Sequence, residues 1–316
     1  MEMILPVSPV VDNVLQLIGG TPLVRLRKLA ETGAAEVLAK LEARNPGGSV
    51  KDRVALAMVE RAEADGKLRP GSIIVEASAG NAAVSLALVA AAKGYRLIVA
   101  IPEDVPVERR RLLARYGAEV LLTAAAEGMA GAAAAAHTLA QQGEEYFRPN
   151  AFENPANPDT HQQGTAQEIW QATGGKVDAL VAGVGTGGSI TGTARGLRAK
   201  KASILVVAVE PASSPMLSRG RSGAHAIHGL GPSFVPAVLD RSLIDRVITV
   251  NDEAALSMAA RLARQEGLLV GPSSGANVYA ALQVARELGV GKTVVTFLPD
   301  IGERYLNMSI PAEVKT

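Results

Sequence analysis

The residues whose types and spacing could do chemistry are a lysine, an asparagine, a serine and several runs of small residues. In NPGGSVKDR, residues 45–53, Pro46, Gly47 and Gly48 precede a helical run, with Ser49 expected as its N-cap and Lys51 in its first turn. The positive end of a helix disfavours an ammonium there, which lowers a lysine pKa and favours imine chemistry. A first-turn lysine is more often simply solvated, so Lys51 alone is a weak signal. In ALVAGVGTGGSITGTARGL, residues 179–197, an apolar run passes through Gly185, Thr186, Gly187, Gly188 and Ser189 into a helix. Backbone N–H groups and two hydroxyls would converge there on one point, as a phosphate cup does. Gly183, Gly185 and Gly188 also satisfy G-x-G-x-x-G, and Glu210 stands about where a dinucleotide site keeps its ribose-binding acid. By itself the loop therefore leaves a dinucleotide and a smaller phosphate ligand open, and with them an NAD-dependent oxidoreductase.

Two further segments repeat the strand–turn–helix design. VEASAGNAAVSLA, residues 75–87, offers the turn Ser78-Ala79-Gly80-Asn81, suited to a carboxylate at a helix start. VGPSSGANVYAAL, residues 270–282, places Ser273, Ser274 and Gly275 before a helix. Each alone reads as an ordinary capped turn. Four such loops in one chain are more informative, because they gather at the carboxyl ends of strands, where α/β proteins bind ligands.

The elements that must position these loops alternate. Apolar runs at 36–42, 72–77, 96–101, 119–123, 179–184, 204–210, 247–250 and 293–298 are separated by stretches of helical period. Such alternation predicts α/β architecture with parallel sheets, and the continuous apolar runs predict strands covered by helices on both faces. The alanine-rich segment 124–143 reads as a helix packed on a sheet, and 148–158 as a linker or crossover between lobes. The single Trp170 is expected to be a packing residue.

Composition narrows the function classes. A chain of 316 residues exceeds what one core usually supports, so two lobes are expected. The net charge of +1 gives no general attraction for nucleic acid or membrane. The absence of cysteine removes disulfides, thiolate metal sites and a thiol nucleophile, and fits a cytoplasmic location. No apolar run reaches the roughly 18 residues needed to span a bilayer, and no signal peptide is read at residues 1–20. His137, His161, His225 and His228 lack companions at metal-ligand spacing, so no metal is expected.

With these segments in place, the chain resembles the cysteine synthase (O-acetylserine sulfhydrylase) and cystathionine β-synthase family of pyridoxal phosphate fold type II. The stretches that carry the resemblance, between Ile18 and Leu306, are IGGTPLVRL, NPGGSVKDR, ERRRLLARYGAE, NPANP, GVGTGGSITG, EPASSPMLS, GLGPSFVP, GPSSGANVYAAL and LPDIGERYL. The resemblance implies two doubly wound α/β domains, like the tryptophan synthase β chain, with the cofactor in the cleft between them. The smaller, mobile domain would be 46–155, and the larger 1–45 together with 156–316. It implies that Lys51 is the Schiff-base lysine, that Asn81 bonds the ring hydroxyl, that Gly185 through Ser189 bind the phosphate and that Ser273 meets the ring nitrogen. The implied reaction is β-replacement on serine or an O-activated serine through α-aminoacrylate, giving cysteine or a related β-substituted alanine. The implied partners are an amino-acid substrate, a small nucleophile, a second copy in a homodimer and a serine acetyltransferase. The competing reading within the cofactor class is a serine or threonine dehydratase.

The chain departs from the family pattern on its substrate side. The usual Thr-Ser-Gly-Asn-Thr is Ser78-Ala79-Gly80-Asn81-Ala82, Ala151 replaces a glutamine, and His228 replaces a glutamine before Gly229. Thr-Thr-Gly-Pro-Glu appears as Gly164-Thr165-Ala166-Gln167-Glu168. Lost donors to a charged carboxylate are worth roughly 1–3 kcal/mol each, which leaves two readings open: backbone N–H groups and water take their place, or the pocket takes a different or larger substrate with His228 as a new polar contact.

Overall fold

A computed structural model describes residues 10–308. The expectation of no signal peptide at residues 1–20 falls in part on residues 1–9, which lie outside that range. Among the described residues ten strands form: β1 (Leu23–Arg25), β2 (Glu36–Leu41), β3 (Ile73–Ala77), β4 (Arg96–Pro102), β5 (Glu119–Thr123), β6 (Tyr146–Phe147), β7 (Ala179–Gly183), β8 (Leu205–Pro211), β9 (Arg246–Val250) and β10 (Thr293–Leu298). They make a six-stranded sheet in the order β1-β2-β10-β7-β8-β9 and a four-stranded sheet in the order β5-β4-β3-β6. Every pairing is parallel except that of β1 with β2.

The β-branched runs explain the layering. In the six-stranded sheet, alternate residues feed two cores. Val37, Val181, Val207, Val209 and Val294 face the helix Pro272–Leu288, while Leu180, Val206, Val295 and Phe297 face the helix Gly188–Arg198. The four-stranded sheet is covered likewise. Ile74, Val99 and Ile101 pack toward the helices Lys51–Ala64 and Asn81–Lys93. Val75 and Ala100 meet Ala132 and Ala136 of the alanine-rich helix Gly128–Ala140. Trp170 is a packing residue, as expected, with the Lys200 ammonium 5.7 Å from its ring centre.

The structure corrects several expectations. β1 and β6 have too few residues for a periodic signal, and β1 runs antiparallel. β5 is not covered on both faces: it is the edge of its sheet, with Leu121 and Leu122 exposed. The segment 148–158 is not simply a linker. Ala156–Thr160 is helical and runs through a π-turn, His161–Thr165, into the helix Ala166–Thr173. This array lies against the Gly188–Arg198 helix, where a Cβ at Gly192 would strike the Pro158 carbonyl and one at Gly196 the Ala166 side chain. Ser49 is not the formal N-cap. Val50 holds that position in helical conformation, and the Ser49 hydroxyl accepts the Lys51 N–H at 3.2 Å. Glu210 is unavailable to a ribose. It is buried, and its carboxylate accepts from Leu217 N, Ser218 N and the Ser218 hydroxyl, capping the helix Met216–Arg219. The dinucleotide reading loses its acid.

Candidate active site

The carboxyl ends of β2, β3, β7 and β10 converge, and the four small-residue loops leave from them or pack beside them. The turn before Lys51 is held from several directions. Gly48 has φ +78°, and a Cβ there would lie 2.9 Å from Ile301. Gly47 N donates to Asp52 Oδ2 at 2.6 Å, Ser85 Oγ donates to Asp52 Oδ1 at 2.5 Å, and Val50 N donates to Pro299 O at 2.8 Å. Lys51 opens the Lys51–Ala64 helix. Burial lowers its pKa to about 8, against the opposing pull of the Asp300 carboxylate.

Two residues further along, Arg53 enters a buried ion network. It donates to Glu42 at 2.7 and 2.9 Å and to both oxygens of Glu168 at 2.7 Å. Lys40, fully buried on β2, reaches Glu168 at 2.6 Å. Burial alone would raise the Glu168 pKa, but the Arg53 and Lys40 contacts bring it down to about 2. The start of the Lys51 helix is thus fastened to the six-stranded sheet and to the Ala166–Thr173 helix.

The glycine loop follows β7. Gly187 has φ +86° and caps the Gly188–Arg198 helix. A Cβ at Gly185 would collide with the Gly229 carbonyl, and one at Gly188 with the Asn157 carboxamide. Asn157 Nδ2 donates to the Thr186 hydroxyl at 3.0 Å and to the Ala151 carbonyl at 2.7 Å. Ser189 Oγ lies 3.1 Å from His161 Nε2, whose ring Nδ1 is 2.9 Å from Thr165 Oγ1. His161 is fully buried, and burial with the nearby Arg53 and Lys51 charges pushes its pKa well down, which keeps the ring neutral.

The structure brings Lys51, Asn81, Gly185, Thr186, Gly187, Ser189, His228, Gly229 and Ser273 around one cavity. Gly188 stands behind that wall. Ser78, Ala79, Gly80 and Ala82 flank Asn81 on the turn after β3, with the Ser78 hydroxyl accepting from Gly80 N at 3.2 Å. Ala151 is not brought to the cavity. It is buried with Val54, Met58 and Ala156, because its segment turns inward to give its carbonyl to Asn157. His228 lies nearly parallel to Tyr305, with ring centres 6.0 Å apart.

Sequence reasoning missed a layer of polar residues behind the cavity: Asn157, His161, Asp300, Arg304 and Tyr305. Tyr305 donates to Asp300 Oδ2 at 2.5 Å, and Asn81 Nδ2 donates to the same oxygen at 2.7 Å. Asp300 follows β10 directly, so its place at a strand's carboxyl end is the signal that could have found it. Asn157 and His161 carry no local signal, since their partners Thr186 and Ser189 are distant in sequence. Among the described residues no group of His, Asp and Glu is arranged to hold a metal, and no helix is long and apolar enough to cross a membrane.

The family described as Pyridoxal-phosphate dependent enzyme matches residues 14–300. Cysteine synthase of Staphylococcus aureus is 51% identical over 298 residues, spanning 94% of this chain and 96% of that protein. The solved cysteine synthase of Entamoeba histolytica superposes with a TM-score of 0.94 at 38% identity, over 100% of this chain and 96% of that one. A solved O-ureido-L-serine synthase gives 0.93 at 42% identity, over 98% of each chain.

Proposed function

The chain belongs to the family of pyridoxal-phosphate-dependent enzymes, and from that premise we propose that it replaces the β-substituent of an O-activated serine to form cysteine or a related β-substituted alanine. The observation that carries this reading is the meeting of Lys51, Asn81, the Gly185–Ser189 loop and Ser273 around one cavity. The donor set suits the cofactor. Glycines at 185 and 188 leave no room for side chains, so backbone N–H groups at a helix start are what a phosphate would meet. Ser273 brings a hydroxyl to the same cavity, and Lys51 has a pKa near the working range of an amine nucleophile.

When bound, pyridoxal phosphate supplies an aldehyde that takes up amines and a ring that withdraws electrons from the α-carbon. The chain's own residues do the rest. Lys51 is the attachment residue. With the substrate amine in its place, its freed amine would take the α-proton as the β-substituent leaves with its bonding electrons, and would return that proton to the α-carbon after the nucleophile adds at the β-carbon. Asn81 would hold the ring oxygen, and Ser273 would accept or donate at the ring nitrogen without holding a permanent positive charge there. The turn Ser78 to Ala82 offers backbone N–H groups to the substrate carboxylate, since Ala79 and Ala82 carry no donors. His228 and Gly229 line the same cavity as Lys51, and the His228–Tyr305 stack supports a pocket that differs from the family pattern.

The same proposal assigns 46–155 to a smaller mobile domain and 1–45 with 156–316 to a larger one. The division is supported by the separation of the two sheets. A homodimer, a cytoplasmic location and a serine acetyltransferase partner complete it. The test is direct: purified protein loaded with cofactor is given O-acetylserine or other O-activated serines with sulfide, and the amino-acid product is identified by mass. Lys51→Ala is the control. Release of pyruvate without added nucleophile, at a rate matching or exceeding replacement, would overturn the proposal.

A further inference from the structure

The carboxamide of Asn81 is held at both ends by one short segment. Its Nδ2 donates to Asp300 Oδ2 at 2.7 Å, and its Oδ1 accepts from the Arg304 guanidinium. A carboxylate only accepts and a guanidinium only donates, so the contacts themselves identify which end of the amide is nitrogen. A flipped amide would set N–H groups against the guanidinium and a carbonyl against the carboxylate, with the loss of two charge-assisted bonds.

Both clamping groups are fixed in turn. Asp300 is buried, accepts the Tyr305 hydroxyl at 2.5 Å on the same Oδ2, and forms an isolated bridge with Ser49 beside Lys51. Arg304, in the 3-10 turn Gly302–Tyr305, also donates to the Gly47 carbonyl in the turn before Lys51. The clamp therefore joins the start of the Asn81 helix to the start of the Lys51 helix. One hydrogen on Asn81 Nδ2 goes to Asp300. The other is left for the cavity that Asn81 lines.

We propose that Asp300 and Arg304 are positioning residues that lock the Asn81 carboxamide with a donor toward the cavity, so that the ligand atom it meets must be an acceptor. For the cofactor this means an anionic ring oxygen held by Asn81, not a hydroxyl that donates to it. The inference rests on the cofactor reading above, and its test separates the two.

Wild type, Asn81→Ala, Asp300→Asn, Arg304→Gln and Arg304→Lys are each loaded with pyridoxal phosphate. Three quantities are measured: the cofactor Kd by equilibrium dialysis, the ratio of the visible bands that report protonation of the ring oxygen, and the melting temperature before loading. Asp300→Asn and Arg304→Gln are expected to weaken the cofactor about tenfold and to move the band ratio toward the protonated form. Arg304→Lys, which keeps a cationic donor, is expected to restore much of the ratio, a rescue that a purely structural role would not produce. If Asn81→Ala moves Kd and the spectrum while Asp300→Asn and Arg304→Gln leave both unchanged, the clamp is wrong and the cofactor contact stands. If Asn81→Ala itself moves neither, the cofactor contact fails and the clamp with it. Should Asp300→Asn not fold, the Arg304 pair decides alone.

Discussion

Lys51 in the cofactor-free protein should behave as a reactive amine close to neutral pH. Burial brings its pKa from the ordinary 10.5 to about 8. At pH 7 a group with that pKa is roughly 10% unprotonated, whereas an ordinary lysine is about 0.03% unprotonated, a difference of roughly 300-fold in reactive form. Reductive methylation with limiting reagent, followed by peptide mass mapping, reads this for Lys51 and for exposed lysines in one sample. Labelling of Lys51 should rise with a midpoint near pH 8, while the exposed Lys28 and Lys67 serve as internal references. The sign of the Asp300 contribution gives a second check. Its carboxylate stabilises the ammonium, so Asp300→Asn should move the midpoint further down. A wild-type midpoint above pH 10, or an upward shift in Asp300→Asn, would refute the reasoning.

Glu168 has a folded-state pKa of about 2 against an ordinary 4.5, so its stabilisation is present above pH 4.5 and is lost as pH falls toward 2. That shift corresponds to about 3 kcal/mol; Glu168→Gln should lose this much in urea unfolding at pH 7 and show a flatter acid-unfolding curve. Gly188→Ala drives a Cβ into the Asn157 carboxamide, and overpacking of about 1–3 kcal/mol should weaken cofactor binding by roughly ten- to a hundredfold in dialysis. His228→Gln restores the family's residue in the cavity wall, and competition kinetics should show kcat/KM moving about fivefold or more toward O-acetylserine over bulkier O-activated serines, about 1 kcal/mol of discrimination. An unchanged ratio would count against His228 as a specificity residue.

The fold was legible where the chain repeats one physical pattern. The runs at 293–298 and 204–210 are long, β-branched and bounded by turns, and both became central strands close to their expected limits. Tyr146–Phe147 could not be read, because two residues have no period and their pairing with β3 depends on the finished sheet. The first ring of the site was legible because glycine loops carry their function in local backbone geometry. The second ring was not. Asn157, Asp300 and Arg304 act by reaching across the fold, and a turn-rich string such as NPANP looks the same whether it links lobes or braces a phosphate cup. Ala151 shows the converse limit. Its carbonyl accepts from Asn157 behind the glycine loop, but its side chain lies in a small core with Val54, Met58 and Ala156.

The ion network beneath Lys51 has an evolutionary consequence. Lys40 and Glu42 come from one stretch of the sequence and Arg53 and Glu168 from two others, yet they form one chain of ion pairs, Lys40 to Glu168 to Arg53 to Glu42. Deleting Arg53 would strand Glu42, and deleting Glu168 would strand Lys40, each at about 3–5 kcal/mol, while exchanging the set together for well-packed apolar residues need cost little. The four positions therefore inherit as a block. Single-step drift at Arg53 or Glu168 crosses a fitness valley, and a library randomised at all four should return the complete charged set or an apolar set, with few variants that lose Arg53 or Glu168 alone.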